Sequence, residues 1–285
     1  MSVDLSLYTP TAGTIRQVAN VFKFPGGEVH LNDLKLGEVS DDAIFIALVR
    51  GSSLDDLMAA ALWSDVAADN ACRFALMLPY LPAARADRGS PEGAYVYSKF
   101  INSMLNPSCD QIITVDAHSW VMPKYFGEAI DDLSAVPLIK RALTSTCEQY
   151  DAVIAPDAGA EHRAKMAATA LGLDFYQCEK HRDFDTGKLL KYRAPEMPKA
   201  GRYLVVDDIC DGGGTFMLLA NSLNLPREQL GLWVTHGIFS GAANDLRARY
   251  DRIYTTDSHP GHSRVGCATT TIPTYVYMFQ AMKKD

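Results

Sequence analysis

Short runs of apolar and β-branched residues alternate along the chain with stretches whose composition or apolar spacing is helical. Residues 43–49, 74–78, 111–115, 152–155, 173–178, 203–206, 232–235 and 252–254 read as strands. Between them, residues 54–69, 138–148, 160–171, 215–222 and 242–250 read as helices. This alternation predicts an α/β protein, a mainly parallel sheet flanked by helices. Segments 82–93 and 181–188, rich in Pro, Gly or Arg, read as mobile loops.

Two stretches echo each other. ITVDAHS at 113–119 and LVVDDICD at 204–211 both run from a strand into acidic residues and a loop. The echo predicts two similar α/β domains, 1–135 and 136–285, with the C-terminal helix packing back on the first. A length of 285 residues suits two domains of ordinary size.

Composition narrows the classes. With 48% hydrophobic and 21% charged residues, the chain is neither disordered nor a disulfide framework. The net charge is −7 and basic residues form no run, which argues against nucleic acid as a partner. No stretch approaches the length of a membrane span, and MSVDLSLYTP lacks the basic-then-apolar order of a secretory signal, so a cytoplasmic location is expected. The six cysteines form no Cys-x-x-Cys pair and read as reduced packing residues.

The sharpest chemistry lies in YLVVDDICDGGGT at 203–215. Four apolar strand residues lead into Asp207 and Asp208, then Asp211, Gly212, Gly213, Gly214 and Thr215 at a helix start. Glycines let successive backbone N–H groups converge, and the helix N-terminus adds positive potential, so the bend suits a phosphate. The paired acids suit ribose hydroxyls, directly or through Mg²⁺. No Gly-Lys-[Ser/Thr] follows, which excludes a Walker loop.

This segment resembles the phosphoribosyl-diphosphate motif of the type I phosphoribosyltransferase fold. The chain as a whole resembles the ribose-phosphate pyrophosphokinase family. Further matches follow in family order: FPGGE at 24–28, LPYLPAARADR at 78–88, TVDAHS at 114–119, APDAGAEHRAK at 155–165, EKHR at 179–182 and THGIFSGAA at 235–243. The resemblance implies two phosphoribosyltransferase-like domains. It also implies Mg²⁺-dependent transfer of the diphosphoryl group of ATP to the 1-hydroxyl of ribose 5-phosphate, giving phosphoribosyl diphosphate and AMP for nucleotide or NAD synthesis.

On that resemblance, Lys180 and Arg182 stabilise the transferring group, and residues 207, 208 and 211–215 hold the ribose phosphate. His118 and Asp157 form the Mg²⁺ site, His118 directly or through a bound water, because Mg²⁺ favours oxygen. Arg85 and Asp87 belong to the ATP loop. Phe24 and Glu28 receive adenine across a subunit interface, which implies a homo-oligomer, a dimer or hexamer; a core position for Phe24 is the alternative.

Three departures stand out. Where the family reads Phe-Ser-Asp-Gly-Glu, Pro25 and Gly26 replace Ser and Asp. Arg-Gln-Asp has become Arg85-Ala86-Asp87, and the Thr of Asp-Thr-Gly-Gly-Thr is Gly212. Losing that hydroxyl deletes a donor to a terminal 5-phosphate and opens space beside it. A larger acceptor such as ADP-ribose, giving a 1-diphosphorylated nucleotide sugar, is therefore a second reading. A non-catalytic regulatory relative and a transferase that consumes phosphoribosyl diphosphate are the remaining alternatives.

Overall fold

The computed structural model describes residues 2–89, 92–104, 109–182, 189–266 and 269–282, with backbone alone for 180–182 and 189–192. The chain divides into two compact units, Met1–Leu133 with Thr274–Asp285, and Ser134–Pro273.

The first unit is built on β1 (Val3–Thr9), β2 (Thr14–Gln17), β3 (Asn20–Lys23), β4 (Val29–Asn32), β5 (Ile44–Val49), α1 (Leu54–Asp69), β6 (Arg73–Leu78), α2 (Gly93–Met104), β7 (Cys109–Val115), α3 (Val121–Phe126) and β8 (Ile130–Leu133), with α7 (Tyr275–Ala281) returning to it. Its main sheet has the order β2-β1-β5-β6-β7-β8; β5 to β8 run parallel, while β1 lies antiparallel to β5 and to β2. Every residue of β5 is buried, which is why that run is continuously apolar rather than alternating. Helix α1 covers β5 by burying Leu57, Ala60, Trp63 and Ala67, with the Trp63 ring centroid 4.8 Å from that of Phe45. Ser53 caps α1 by accepting the Asp56 N–H at 3.3 Å. Strands β3 and β4 form a separate antiparallel hairpin.

The second unit contains α4 (Val136–Thr146), β9 (Ala152–Ala155), α5 (Glu161–Leu171), β10 (Asp174–Gln177), β11 (Glu179–Arg182), β12 (Leu189–Arg193), β13 (Tyr203–Cys210), α6 (Gly214–Leu223), β14 (Leu230–Gly237), β15 (Arg252–Thr256) and β16 (Thr269–Ile272). Its main sheet, β10-β9-β13-β14-β15-β16, is parallel at every described pairing.

Three expectations need correction. Residues 242–250 do not form an α-helix: Gly241–Ala248 is a 3-10 helix, and its buried residues Ala243 and Leu246 are spaced by three, the spacing that stacks in a 3-10 turn. Asn244 and Asp245 also weaken an α-helix there by competing for backbone groups. Within the expected loop 82–93, Gly93 already opens α2. Within the expected loop 181–188, His181 and Arg182 belong to β11 because they pair antiparallel with β12; residues 183–188 lie outside the described residues.

Glu148, just after α4, ties three elements of the second unit together. Its carboxylate accepts from Arg202 at 2.8 Å, ahead of β13, and from Arg252 at 2.9 Å, at the start of β15. Burial pushes this carboxyl up, but the two arginines together outweigh it and hold the group below its ordinary value of 4.5. A depressed carboxylate contributes stability above its unfolded pKa and loses it as pH falls through the folded one. Glu148→Gln should therefore cost about 1–2 kcal/mol at neutral pH, discounted because Arg252 is half exposed. In thermal melts, the gap to wild type should close as pH falls below the ordinary carboxylate range. A gap that persists in acid would show that packing, not charge, is responsible.

Candidate active site

In the second unit the chain passes from β9 outward to β10, then crosses to β13 on the other side of β9. The strand order thus reverses between β9 and β13, and the carboxyl ends of such strands form a natural ligand crevice. Asp157 follows β9, while Asp207 and Asp208 lie in the last half of β13. Arg163 on α5 serves both acids, Nη1 at 3.6 Å from Asp207 Oδ1 and Nη2 at 3.3 Å from Asp208 Oδ2. Asp208 is buried; its N–H donates to Asp207 Oδ1 at 2.9 Å, and Ile209 N–H donates to Asp208 Oδ1 at 2.8 Å. Burial and the neighbouring Asp208 carboxylate push the Asp207 carboxyl well up, with Arg163 pulling the other way. Arg163 therefore offsets the strain on the Asp207 carboxylate only in part.

The glycine bend follows directly. Gly213 has φ +78°, and a Cβ there would lie 3.2 Å from Ala243 Cα and from Leu246, so both conformation and space demand glycine. Asp211 anchors the bend: its carboxylate accepts from Ser240 Oγ at 2.5 Å and its carbonyl from Ser240 N–H at 3.0 Å. Gly212 and Gly214 face outward. A Cβ on Gly212 would meet only Ser240 Oγ at 4.0 Å, and one on Gly214 would meet nothing within 4 Å. Helix α6 begins at Gly214 without a side-chain cap, so its first N–H groups are left to an anion or water, with half-buried Thr215 beside them.

Asp157 has a local duty, since its Oδ1 accepts the N–H groups of Gly159 at 2.7 Å and Ala160 at 3.2 Å and so turns the chain into α5. That turn sets the helix carrying Arg163.

Lys180 and Arg182 lie in β11, which leaves the same sheet edge: Cys178 N–H donates to Ala155 C=O at 2.9 Å and β11 begins at the next residue. The partner strand β12 runs along α6, the helix that the glycine bend opens. Lys180 pairs with Tyr192 and Arg182 with Leu189, and the register shifts between His181 and Arg182. The two-residue spacing alone therefore does not place the pair on one face.

The residues expected on the ATP side belong to the first unit. The Arg85–Asp87 segment follows β6 and His118 follows β7, neighbouring parallel strands that end on one edge. His118 is exposed in a turn where Asp116 adopts φ +49°, its N–H donating to Leu133 C=O at 2.8 Å, and Ala117 N–H donates to Asp132 Oδ1 at 3.1 Å. Arg85 is exposed, and the Asp87 carboxylate is largely buried, 3.7 Å from Arg88 Nε. His118 and Asp157 fall in different units.

Phe24 and Glu28 close the β3–β4 hairpin, Phe24 N–H donating to Glu28 C=O at 2.9 Å. Phe24 is 47% exposed and packs edge-on against Phe22 at 4.8 Å, which rules out the core alternative. Lys23 Nζ lies 2.6 Å from Asp55 Oδ2, fastening the hairpin to the first turn of α1. Sequence reasoning did not single out Arg163 or Ser240. Each sat in a quoted motif, but only the packing of α5 and of the 3-10 helix against β13 and its bend reveals their partners.

The parallel sheet with an acid pair and a glycine bend at its switch point defines a type I phosphoribosyltransferase-like α/β protein. The phosphoribosylpyrophosphate synthetase of Mycobacterium smegmatis shares this fold: its structure superposes with a TM-score of 0.71 at 20% identity, covering 93% of this chain and 88% of that one. No protein-family model matches the chain. Ribose-phosphate pyrophosphokinase 3 of Saccharomyces cerevisiae is 30% identical over 259 residues, 85% of this chain and 77% of its own length. The ribose-phosphate pyrophosphokinase of Pyrococcus furiosus is 29% identical over 84% of this chain and 85% of its own. The chain belongs to the ribose-phosphate pyrophosphokinase family, a family of ATP-dependent diphosphotransferases.

Proposed function

We propose that the protein transfers the β,γ-diphosphoryl group of ATP to the 1-hydroxyl of a ribose 5-phosphate, releasing AMP. The observation that carries this reading is the joining of Asp207, Asp208 and the bend 211–215 at one switch point, with β11 leaving the same edge. The carboxylates hold the ribose hydroxyls, and the N–H groups at the start of α6 hold the 5-phosphate. Lys180 and Arg182 neutralise charge on the transferring group, which passes through a loose transition state governed by positioning and electrostatics. Arg85 and Asp87, with His118, bind the triphosphate, and Phe24 with Glu28 receives its base in a homo-oligomer, dimer or hexamer. A cytoplasmic role in nucleotide or NAD synthesis fits that product. Among the described residues, no helix is long and apolar enough to cross a membrane.

The resemblance implies Mg²⁺, and the carboxylates of Asp207 and Asp208 in β13 and of Asp157 after β9 are the oxygen donors that this ion favours, while among the described residues no group of three or more His, Cys, Asp or Glu side chains gathers as a metal site. Of the two residues expected to hold it, Asp157 would supply an oxygen ligand in the second unit, and His118, which would act through water, belongs to the first. Such an ion neutralises phosphate charge and acidifies a bound hydroxyl. Incubating the purified chain with ATP, Mg²⁺ and ribose 5-phosphate or ADP-ribose tests the reading through AMP formed in step with a diphosphorylated product. No AMP with either acceptor would sink it; activity of the chain alone would exclude a non-catalytic relative.

The ADP-ribose alternative turns on Gly212, which has no side chain to meet a 5-phosphate: a Cβ there would lie no nearer than 4.0 Å to Ser240 Oγ. Restoring the family threonine in Gly212→Thr should favour ribose 5-phosphate over ADP-ribose in kcat/KM by about tenfold or more, because one hydroxyl donor to a phosphate dianion returns. An unchanged ratio would dissociate Gly212 from acceptor choice.

A further inference from the structure

Trp120 stands apart from the chain's other tryptophans. It is 71% exposed, whereas Trp63 and Trp233 are 0% and 1% exposed. Scattered exposed apolar side chains are ordinary, so the position of this one matters. It lies two residues beyond His118, where β7 has given way to α3, on the edge that also carries the Arg85–Asp87 segment after β6. Lys124, one turn along, places Nζ 5.2 Å from the indole centroid and 5.9 Å from the Tyr125 centroid. An ammonium within that range of an indole braces the ring and adds positive charge beside it.

A broad, exposed π-surface with a cation next to it is suited to a planar base carrying anionic phosphates. We propose that Trp120 is a nucleobase-stacking residue, a platform for the purine ring of an adenosine phosphate bound at the carboxyl edge of β6 and β7. The inference rests on the diphosphotransferase reading and deepens it. It supplies a contact to the base that is independent of the Phe24 hairpin, where Pro25 and Gly26 offer no acidic partner. Two adenosine phosphates carry this chemistry, the donor ATP and the alternative acceptor ADP-ribose, and they can be told apart.

Because the other two indoles are buried, acrylamide quenching of tryptophan fluorescence in the full chain reports chiefly on Trp120. α,β-Methylene-ATP, which resists diphosphoryl transfer, ADP-ribose and ribose 5-phosphate are added separately. The expected result is shielding by one or both adenosine compounds and none by ribose 5-phosphate, which has no base. Trp120→Ala should raise KM for the shielding nucleotide about 5- to 30-fold with kcat much less affected, and Trp120→Phe should recover most of the loss. Unchanged quenching with both adenosine compounds overturns the proposal, as does a kcat loss without a KM change. So does shielding already present in the free protein that disappears on dilution, which would mean that a second copy covers the ring. If wild type makes no AMP with either acceptor, the wider reading fails, while the quenching arms still decide whether Trp120 receives a base.

Discussion

Lys180→Ala should lower turnover by about three or more orders of magnitude while weakening ATP binding far less. A cation that meets the phosphoryl group mainly in the transition state adds little to ground-state binding, and removing such a group costs roughly 10³–10⁵ in kcat in phosphoryl-transfer enzymes. The backbone supports this role: β11 leaves the carboxyl edge of the sheet that presents Asp157, Asp207 and Asp208, and β12 runs along α6. Single-turnover AMP formation measured beside nucleotide affinity separates the two effects. Equal losses in both would make Lys180 a binding or structural residue. Arg182→Ala should follow the same pattern.

Asp207→Asn should reduce kcat/KM for the acceptor by about a hundredfold, the order expected when a charge-assisted contact to bound substrate is lost. Thermal stability should hold or rise, because the change removes one of two crowded carboxylates and leaves Asp208 with Arg163 at 3.3 Å. Arg163→Met is the useful contrast. It strips a cation paired with both acids and should lower both stability and activity. If Asp207→Asn melted well below wild type, the acid pair would belong to the scaffold rather than to ligand binding.

Much of the scaffold was legible in the chain. The buried runs 44–49, 152–155 and 203–206 are apolar throughout because parallel strands are covered on both faces, and residues 54–69 form α1 as their composition predicts. The opening strands were overlooked, although Val3, Leu5 and Leu7 alternate with polar residues and Leu5 and Leu7 are buried; β2 and β3 are largely exposed and carry no such pattern. Strand β11 was hidden for another reason: EKHR is wholly polar or charged, and its strand state rests on pairing with β12.

The candidate site divides along the same line. By itself, the sequence determined the chemistry on offer: acids at a strand end, a glycine bend into a helix, and basic residues after the neighbouring strand. These are local features, set by propensity and by the backbone freedom of glycine. Tertiary structure alone decided that the strand order reverses between β9 and β13, that Arg163 reaches both acids, that Ser240 holds Asp211, and that Trp63 is buried while Trp120 is exposed. Those outcomes depend on which distant segments pack together, and pairwise contact between segments far apart in the chain leaves no mark on the local pattern of residues.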